Sequence, residues 1–271
     1  MPYAYRDRDL VARARSYDLT EHDSVEIINA GDIHGGDCYC NMDAVRAIVA
    51  WLEANPSRYA ILTGDIFNMA TQGSVSLQLS EPNTPTVDTR HLLTKMLQPV
   101  AGQILAAIGG NHDDRLCRMS GEDSVDALMC ALGIGDRYFP EGEVFMRLRV
   151  GFYSHNDSPV LYNLYATHGN AGGRLPGGKA NALVALRNIV HNCDIYMNGH
   201  GHTPLVIPEV AWSFDSKGDI RRQDQFFISC GATLRRGGYP VRKGFPPLST
   251  VFPTVTLHGD GHKHITAHAA S

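Results

Sequence analysis

Five times along this chain a short apolar run closes on small residues and then on Asp, Asn or His. Val25–Ala30 leads into Gly31-Asp32-Ile33-His34, and Tyr59–Thr63 leads into Gly64-Asp65-Ile66-Phe67-Asn68. Gln103–Ile108 leads into Gly109-Gly110-Asn111-His112-Asp113. Further on, Leu164–Thr167 delivers His168-Gly169, and Ile195–Asn198 delivers Gly199-His200-Gly201-His202. Each run has the length and composition of a buried strand. The carboxyl ends of strands are where open α/β sheets build their sites. One such strand end is an ordinary capped turn; five in succession are more than turn chemistry explains.

The first two ends are tied together by what lies between them. Asn41 reads as the N-cap of a helix over Met42–Ala54, whose Val45, Ile48, Val49 and Leu52 repeat at helical spacing before Asn55-Pro56 stops it. A strand, a helix and a second strand make one βαβ crossover, which brings Asp32 and Asp65 to the same sheet edge. Carboxylate, imidazole and amide donors together suit Mn²⁺, Fe or Zn²⁺ better than Ca²⁺.

Elsewhere, residues 1–23 read as a polar N-terminal arm with at most one helical turn, and residues 69–86 as a long loop of the kind that is usually functional or mobile. Helices are expected over Val87–Val100 and Glu122–Leu132, and strands over Val144–Val150 and Val160–Thr167. The glycine-rich loop Gly172–Lys179 should open a helix at Ala180–His191; it is either an anion cradle or a flexible connector. It is not a Walker A loop, because no Ser or Thr follows the lysine. Strands at Val206–Phe214, Gln225–Ser229 and Val251–Leu257 suggest a second, more antiparallel sheet completed by residues 205–271.

A chain of 271 residues, 43% hydrophobic and 19% charged, fits one soluble domain. A net charge of −4 argues against a protein that coats nucleic acid, though not against one that grips a single phosphate. No apolar run approaches the ~18 residues that span a bilayer, and Met1–Arg15 lacks an apolar signal core, so a cytoplasmic protein without membrane contact is expected. The six cysteines are read as free thiols; Cys38-x-Cys40 has no second pair at zinc-site spacing, although a thiolate pair for metal stays open. Arg115, and with less support Arg174 and Lys179, are candidates for phosphate contact. Arg221-Arg222, Arg235-Arg236 and the terminal His258, His262, His264 and His268 read as solvated surface.

The ordered set Asp-x-His, Gly-Asp-x-x-Asn, Gly-Asn-His-Asp, His and Gly-His-x-His resembles the calcineurin-like metallophosphoesterases over residues 24–204. Within that superfamily, the loop Gly169–Arg174 and the tail from Gly231 to Pro247 look most like small phage- or prophage-type members. The resemblance implies a single-domain four-layer α/β/β/α sandwich, two mixed β-sheets flanked by helices. It also implies two divalent ions, Mn²⁺ foremost with Fe or Zn²⁺ as alternatives. Asp32, His34 and His202 would hold one ion, Asn111, His168 and His200 the other, and Asp65 both, together with the attacking hydroxide. His112 looks like the catalytic histidine beside the departing oxygen, with Asp113 accepting its other ring N–H. Asn68 stands where many relatives have Asp, and Gly201 where Thr is frequent. The implied activity is hydrolysis of a phosphodiester or phosphomonoester, with a nucleotide or single-stranded nucleic acid favoured as substrate. Relatives include nucleases, cyclic-nucleotide phosphodiesterases, protein phosphatases and lipid pyrophosphatases. The competing class is a silent metal-binding scaffold for protein interaction, like the related retromer subunit; such scaffolds are expected to lose the histidine or ligands that this chain keeps.

Overall fold

The structure, a computed structural model, describes residues 14–68, 84–170, 173, 175–215, 217–237, 241 and 246–269. Its strands are β1 (Arg15–Leu19), β2 (Ser24–Asn29), β3 (Arg58–Leu62), β4 (Ile104–Ile108), β5 (Tyr138–Phe139), β6 (Glu143–Tyr153) and β7 (Pro159–Thr167). They continue with β8 (Ile195–Asn198), β9 (Leu205–Phe214), β10 (Ile220–Ser229), β11 (Thr254–His258), β12 (Asp260–Gly261) and β13 (His264–His268). The helices are α1 (Met42–Glu53), α2 (Thr86–Leu97), α3 (Asp114–Ser120), α4 (Ser124–Ala131) and α5 (Pro176–Val184).

The strands form two mixed sheets. One runs β13-β11-β2-β3-β4-β5, parallel from β2 to β5 and antiparallel at β11 and β13. The other runs β1-β6-β7-β8-β10-β9, with β12 also parallel to β6. Side chains of both sheets, among them Ile27, Ile61, Leu148 and Leu164, meet in a buried layer between them. A second apolar layer packs α1, α2 and α4 on the outer face of the first sheet, and a third joins α5 to β7, β8 and β10. The expected four-layer sandwich is what the apolar faces build.

Several local expectations are corrected. The polar arm holds β1, parallel to β6, with Leu19 buried and the Tyr17 hydroxyl donating to the Leu105 carbonyl. The residues after 205 do not all complete the second sheet: β11 and β13 add to the first, because Val255 and Leu257 pair against Ile27 and Val25 and bury with them. Asn41 sits at the α1 N-cap without bonding the helix, and its side-chain oxygen accepts instead from Arg235, at 2.9 Å. Gln103 lies in a 3-10 turn before β4, its amide donating to the carbonyls of Leu52, Asn55 and Arg58. Helix α5 begins at Pro176, four residues before the expected Ala180, because proline suits the first helical position and hides the glycines after it within the first turn. Most of the long loop, residues 69–83, lies outside the described residues.

Candidate metal centre

The carboxyl ends of β2, β3 and β4 in one sheet and of β7 and β8 in the other open at the same end of the sandwich. There the seven expected ligands meet in two groups. In the first, His34 Nε2 lies 3.0 Å from His202 Nε2, and His202 Nε2 lies 3.4 Å from Asp32 Oδ1. In the second, His168 Nε2 lies 3.1 Å from Asn111 Oδ1 and 3.2 Å from His200 Nδ1. Asp65 belongs to both: its Oδ2 is 3.8 Å from His34 Nε2, and its Oδ1 is 3.4 Å from His168 Nε2. One carboxylate thus turns one oxygen toward each group.

The spacing fits cations. Ligand atoms held ~2.0–2.2 Å from one ion at right angles lie ~3 Å apart, the separation seen here between neighbouring nitrogens and oxygens. Two imidazole nitrogens facing each other at 3.0 Å can share only one proton between them. Burial opposes ionisation of Asp32 and Asp65, yet the imidazoles around them, His202 foremost for Asp32 and His168 for Asp65, hold both carboxyls below the usual range. Burial and the neighbouring His202 push His34 down to about 3, which keeps it neutral. Burial disfavours charge on His168 as well, but its contact with Asp65 carries it up to about 9, and a bound cation would displace that proton. Mixed carboxylate, imidazole and amide donors fit divalent ions: Asp32, His34, His202 and Asp65 would hold one, and Asp65, Asn111, His168 and His200 another.

The backbone is bent to make this convergence. Asp32, His34, Asp65, His200 and His202 all have left-handed φ, between 48° and 60°. Non-glycine residues take that conformation rarely and at a cost, and it gathers at functional sites. The glycines admit close approach: a Cβ on Gly110 would sit 2.1 Å from the Asp65 nitrogen.

A further layer fixes the ligands. His168 Nδ1 donates to the Thr63 carbonyl at 2.8 Å, leaving Nε2 free for a cation. Thr63 in turn donates to Asn29 Oδ1 at 2.7 Å. The buried Cys230 thiol, its acidity suppressed by burial and the charge of Asp32, donates to Asp32 Oδ2 at 3.4 Å. Lys179 donates to the Gly201 carbonyl at 2.6 Å and to Thr203 Oγ1 at 2.7 Å. It is thereby a brace for the loop carrying His200 and His202 rather than the expected phosphate contact.

His112 stands beside the first group, its ring centroid 4.7 Å from that of His34. Asp113 does not orient it. That carboxylate is buried and accepts from the backbone N–H groups of Phe67, Gly110 and Ile66 at 2.8, 2.9 and 3.2 Å, clipping the loop after β4 to the loop after β3. Burial, reinforced by the charge of Asp65, pushes Asp113 up to about 8. The partner of His112 Nδ1 is Asn68 Oδ1 at 2.8 Å, while Asn68 Nδ2 donates to Asp37 Oδ2 at 2.7 Å. A carboxylate only accepts, so Asp37 fixes which way the amide faces, and the amide oxygen then requires the proton on Nδ1. Nε2 of His112 meets Arg115 Nη2 at 3.0 Å, which places Arg115 at the site.

Arg174 lies outside the described residues. Arg221 and Arg222 pair with Asp215 and Asp224 on the β9–β10 hairpin, and Arg235 bonds near the start of α1. Among the described residues, neither cysteine of Cys38-x-Cys40 and none of the terminal histidines belongs to a group close enough to hold an ion. Asn68 stood in the sequence motif without a partner; its partner Asp37 is what the sequence did not disclose.

Compared with known families, residues 25–204 match the calcineurin-like phosphoesterases. The chain belongs to that family. Comparison of this chain with curated proteins returns no match. Among solved structures it is similar to a predicted phosphoesterase of Streptococcus pneumoniae, with 11% identity and a TM-score of 0.36 over 90% of this chain and 98% of that one. It is likewise similar to a Vps29 double mutant from Entamoeba histolytica, with 13% identity and a TM-score of 0.41 over 91% and 100% of the two chains. A third likeness is GAP50 of Plasmodium, with 12% identity and a TM-score of 0.45 over 90% and 83%. Similarity at that level bears on neither site nor substrate. No helix among the described residues is long and apolar enough to cross a membrane.

Proposed function

We propose that this chain hydrolyses a phosphoester, a diester or monoester of a nucleotide or nucleic acid, with two divalent ions of which Mn²⁺ is the first choice. The observation that carries the proposal is Asp65, which turns one oxygen to each of two ligand groups while His112 stands alongside. When bound, such a pair of ions supplies charge neutralisation for the phosphoryl oxygens and makes water a usable nucleophile near neutral pH.

The chain's own residues do the rest. Asn68 holds the Nδ1 proton of His112 and aims Nε2 outward toward the departing oxygen. Burial and the adjacent Arg115 push the ring down to about 4, so Nε2 starts unprotonated and stabilises that charge or delivers a proton only after taking one up from solvent. Arg115, beside the same nitrogen, offers a guanidinium to a phosphoryl oxygen. Asp113 acts at one remove by holding the two ligand-bearing loops together. A phage-type context, read from the sequence of residues 169–174 and 231–247, would favour a nucleotide or nucleic-acid substrate.

The test is turnover of bis-(4-nitrophenyl) phosphate with added Mn²⁺. His112→Ala is expected to lose about 10²–10⁴-fold in kcat. Equal rates in both proteins would remove His112 from the reaction, and no metal-dependent turnover of any phosphoester would move the chain to the scaffolds.

A further inference from the structure

A groove of about 650 Å³ opens on the second ligand group, with Asn111 and His168 at its inner end. That volume lies in the range of small-molecule sites, ~300–1,000 Å³. One wall is the outer face of α5 and the turn after it, where Ala182, Ala185, Leu186 and Ile189 present only hydrocarbon. Ile189 is 57% exposed, a large apolar side chain left facing the opening. The lining also carries Asp114 and Glu141, both acidic, and no lysine or arginine lines the groove among the described residues. Arg118 pairs with Asp114 at 3.1 Å, and Glu141 is the other acidic residue of the lining.

A site with a hydrocarbon wall and acidic residues in its lining discriminates by charge. An uncharged ring lies against the α5 wall and removes apolar surface from water, while its hydroxyl or amide N–H groups reach the carboxylates. A second phosphate in the same place would sit beside like charge. A nucleic-acid strand carries one phosphate per ~3.4 Å of rise and would set several there.

From this we infer that the groove receives the nucleoside portion of a small phosphoester and turns away any group that carries a further phosphate. The inference rests on the phosphoesterase reading and narrows its substrate from a nucleotide or nucleic acid to a mononucleotide.

The experiment is calorimetric binding to the Mn²⁺-loaded full chain, read without turnover, of inorganic phosphate, thymidine 5′-monophosphate and thymidine 3′,5′-bisphosphate. The monophosphate is expected to bind about tenfold or more tighter than inorganic phosphate and than the bisphosphate. Ile189→Lys, a change at an exposed position with little risk to folding, is expected to narrow or invert the ratio between the two nucleotides. Ala185→Trp, which fills the groove, is expected to bring the monophosphate down to the affinity of inorganic phosphate. Equal binding of phosphate and monophosphate, a bisphosphate that binds as well as the monophosphate, or a ratio unmoved by Ile189→Lys would each overturn the inference. Turnover of bis-(4-nitrophenyl) phosphate by the same preparation tests the phosphoesterase reading separately.

Discussion

Asp37→Asn is the perturbation that most sharply tests how His112 is set. Asp37 does not touch the histidine; it accepts from the Asn68 amide at 2.7 Å, and the other end of that amide accepts from His112 Nδ1 at 2.8 Å. A hydrogen bond to a charged group contributes ~1.5–3 kcal/mol, against ~0.5–1.5 for a neutral pair. Replacing the carboxylate by an amide therefore costs on the order of 1–2 kcal/mol at this contact. It also lets Asn68 turn over and present N–H groups to Nδ1, which selects the wrong ring tautomer. At ~1.4 kcal/mol per factor of ten, kcat should fall about 5- to 30-fold, with KM and Mn²⁺ affinity little changed. The assay compares 4-nitrophenyl with phenyl esters in steady state. Help to the departing oxygen matters more for the poorer leaving group, so the phenyl ester should lose more. The double variant Asp37→Asn with Asn68→Asp moves the carboxylate next to His112 and should recover most of the loss. A wild-type rate on the phenyl ester in Asp37→Asn, or no recovery in a double variant that folds and binds Mn²⁺, would refute the reasoning.

Other consequences follow from the same contacts. Lys179→Met removes both bonds that brace the Gly201–Thr203 turn, and Mn²⁺ titration should show several-fold weaker binding with the melting temperature of the chelator-treated protein nearly unchanged. Gly110→Ala places a Cβ 2.1 Å from the Asp65 nitrogen, and overpacking there should cost ~1–3 kcal/mol, seen as a melting point lowered by several degrees. Thiol titration of the native protein should find exposed Cys38 and Cys130 reactive. Cys193, pushed up to about 12 by burial, and Cys230 should react only after denaturation.

Much of the site was legible because its ligands sit at strand ends, and strands announce themselves locally. The runs before Asp32, Asp65, Asn111, His168 and His200 are short and apolar, and the βαβ unit fixes the first two at one edge regardless of the rest of the fold. What escaped depends on partners far along the chain. The carboxylate of Asp113 looks like a neighbour of His112 in sequence, but the backbone directs it to amides at Ile66 and Phe67. Strand β1 is five residues, three of them polar, and only its pairing with β6 makes it a strand. Nothing local in Thr254–His258 says that, besides its near neighbour β13, it pairs with β2. The role of Asn68 was hidden for the same reason, since it takes its meaning from Asp37 and His112 together.

The account turns on Asp65 being shared by two cations. The direct measurement is Mn²⁺ stoichiometry with electron paramagnetic resonance on wild type and Asp65→Ala. Two ions per chain with an exchange-coupled signal, and loss of that coupling in Asp65→Ala, is the expected result. A single uncoupled ion in the wild type, or coupling that survives the loss of Asp65, would contradict it.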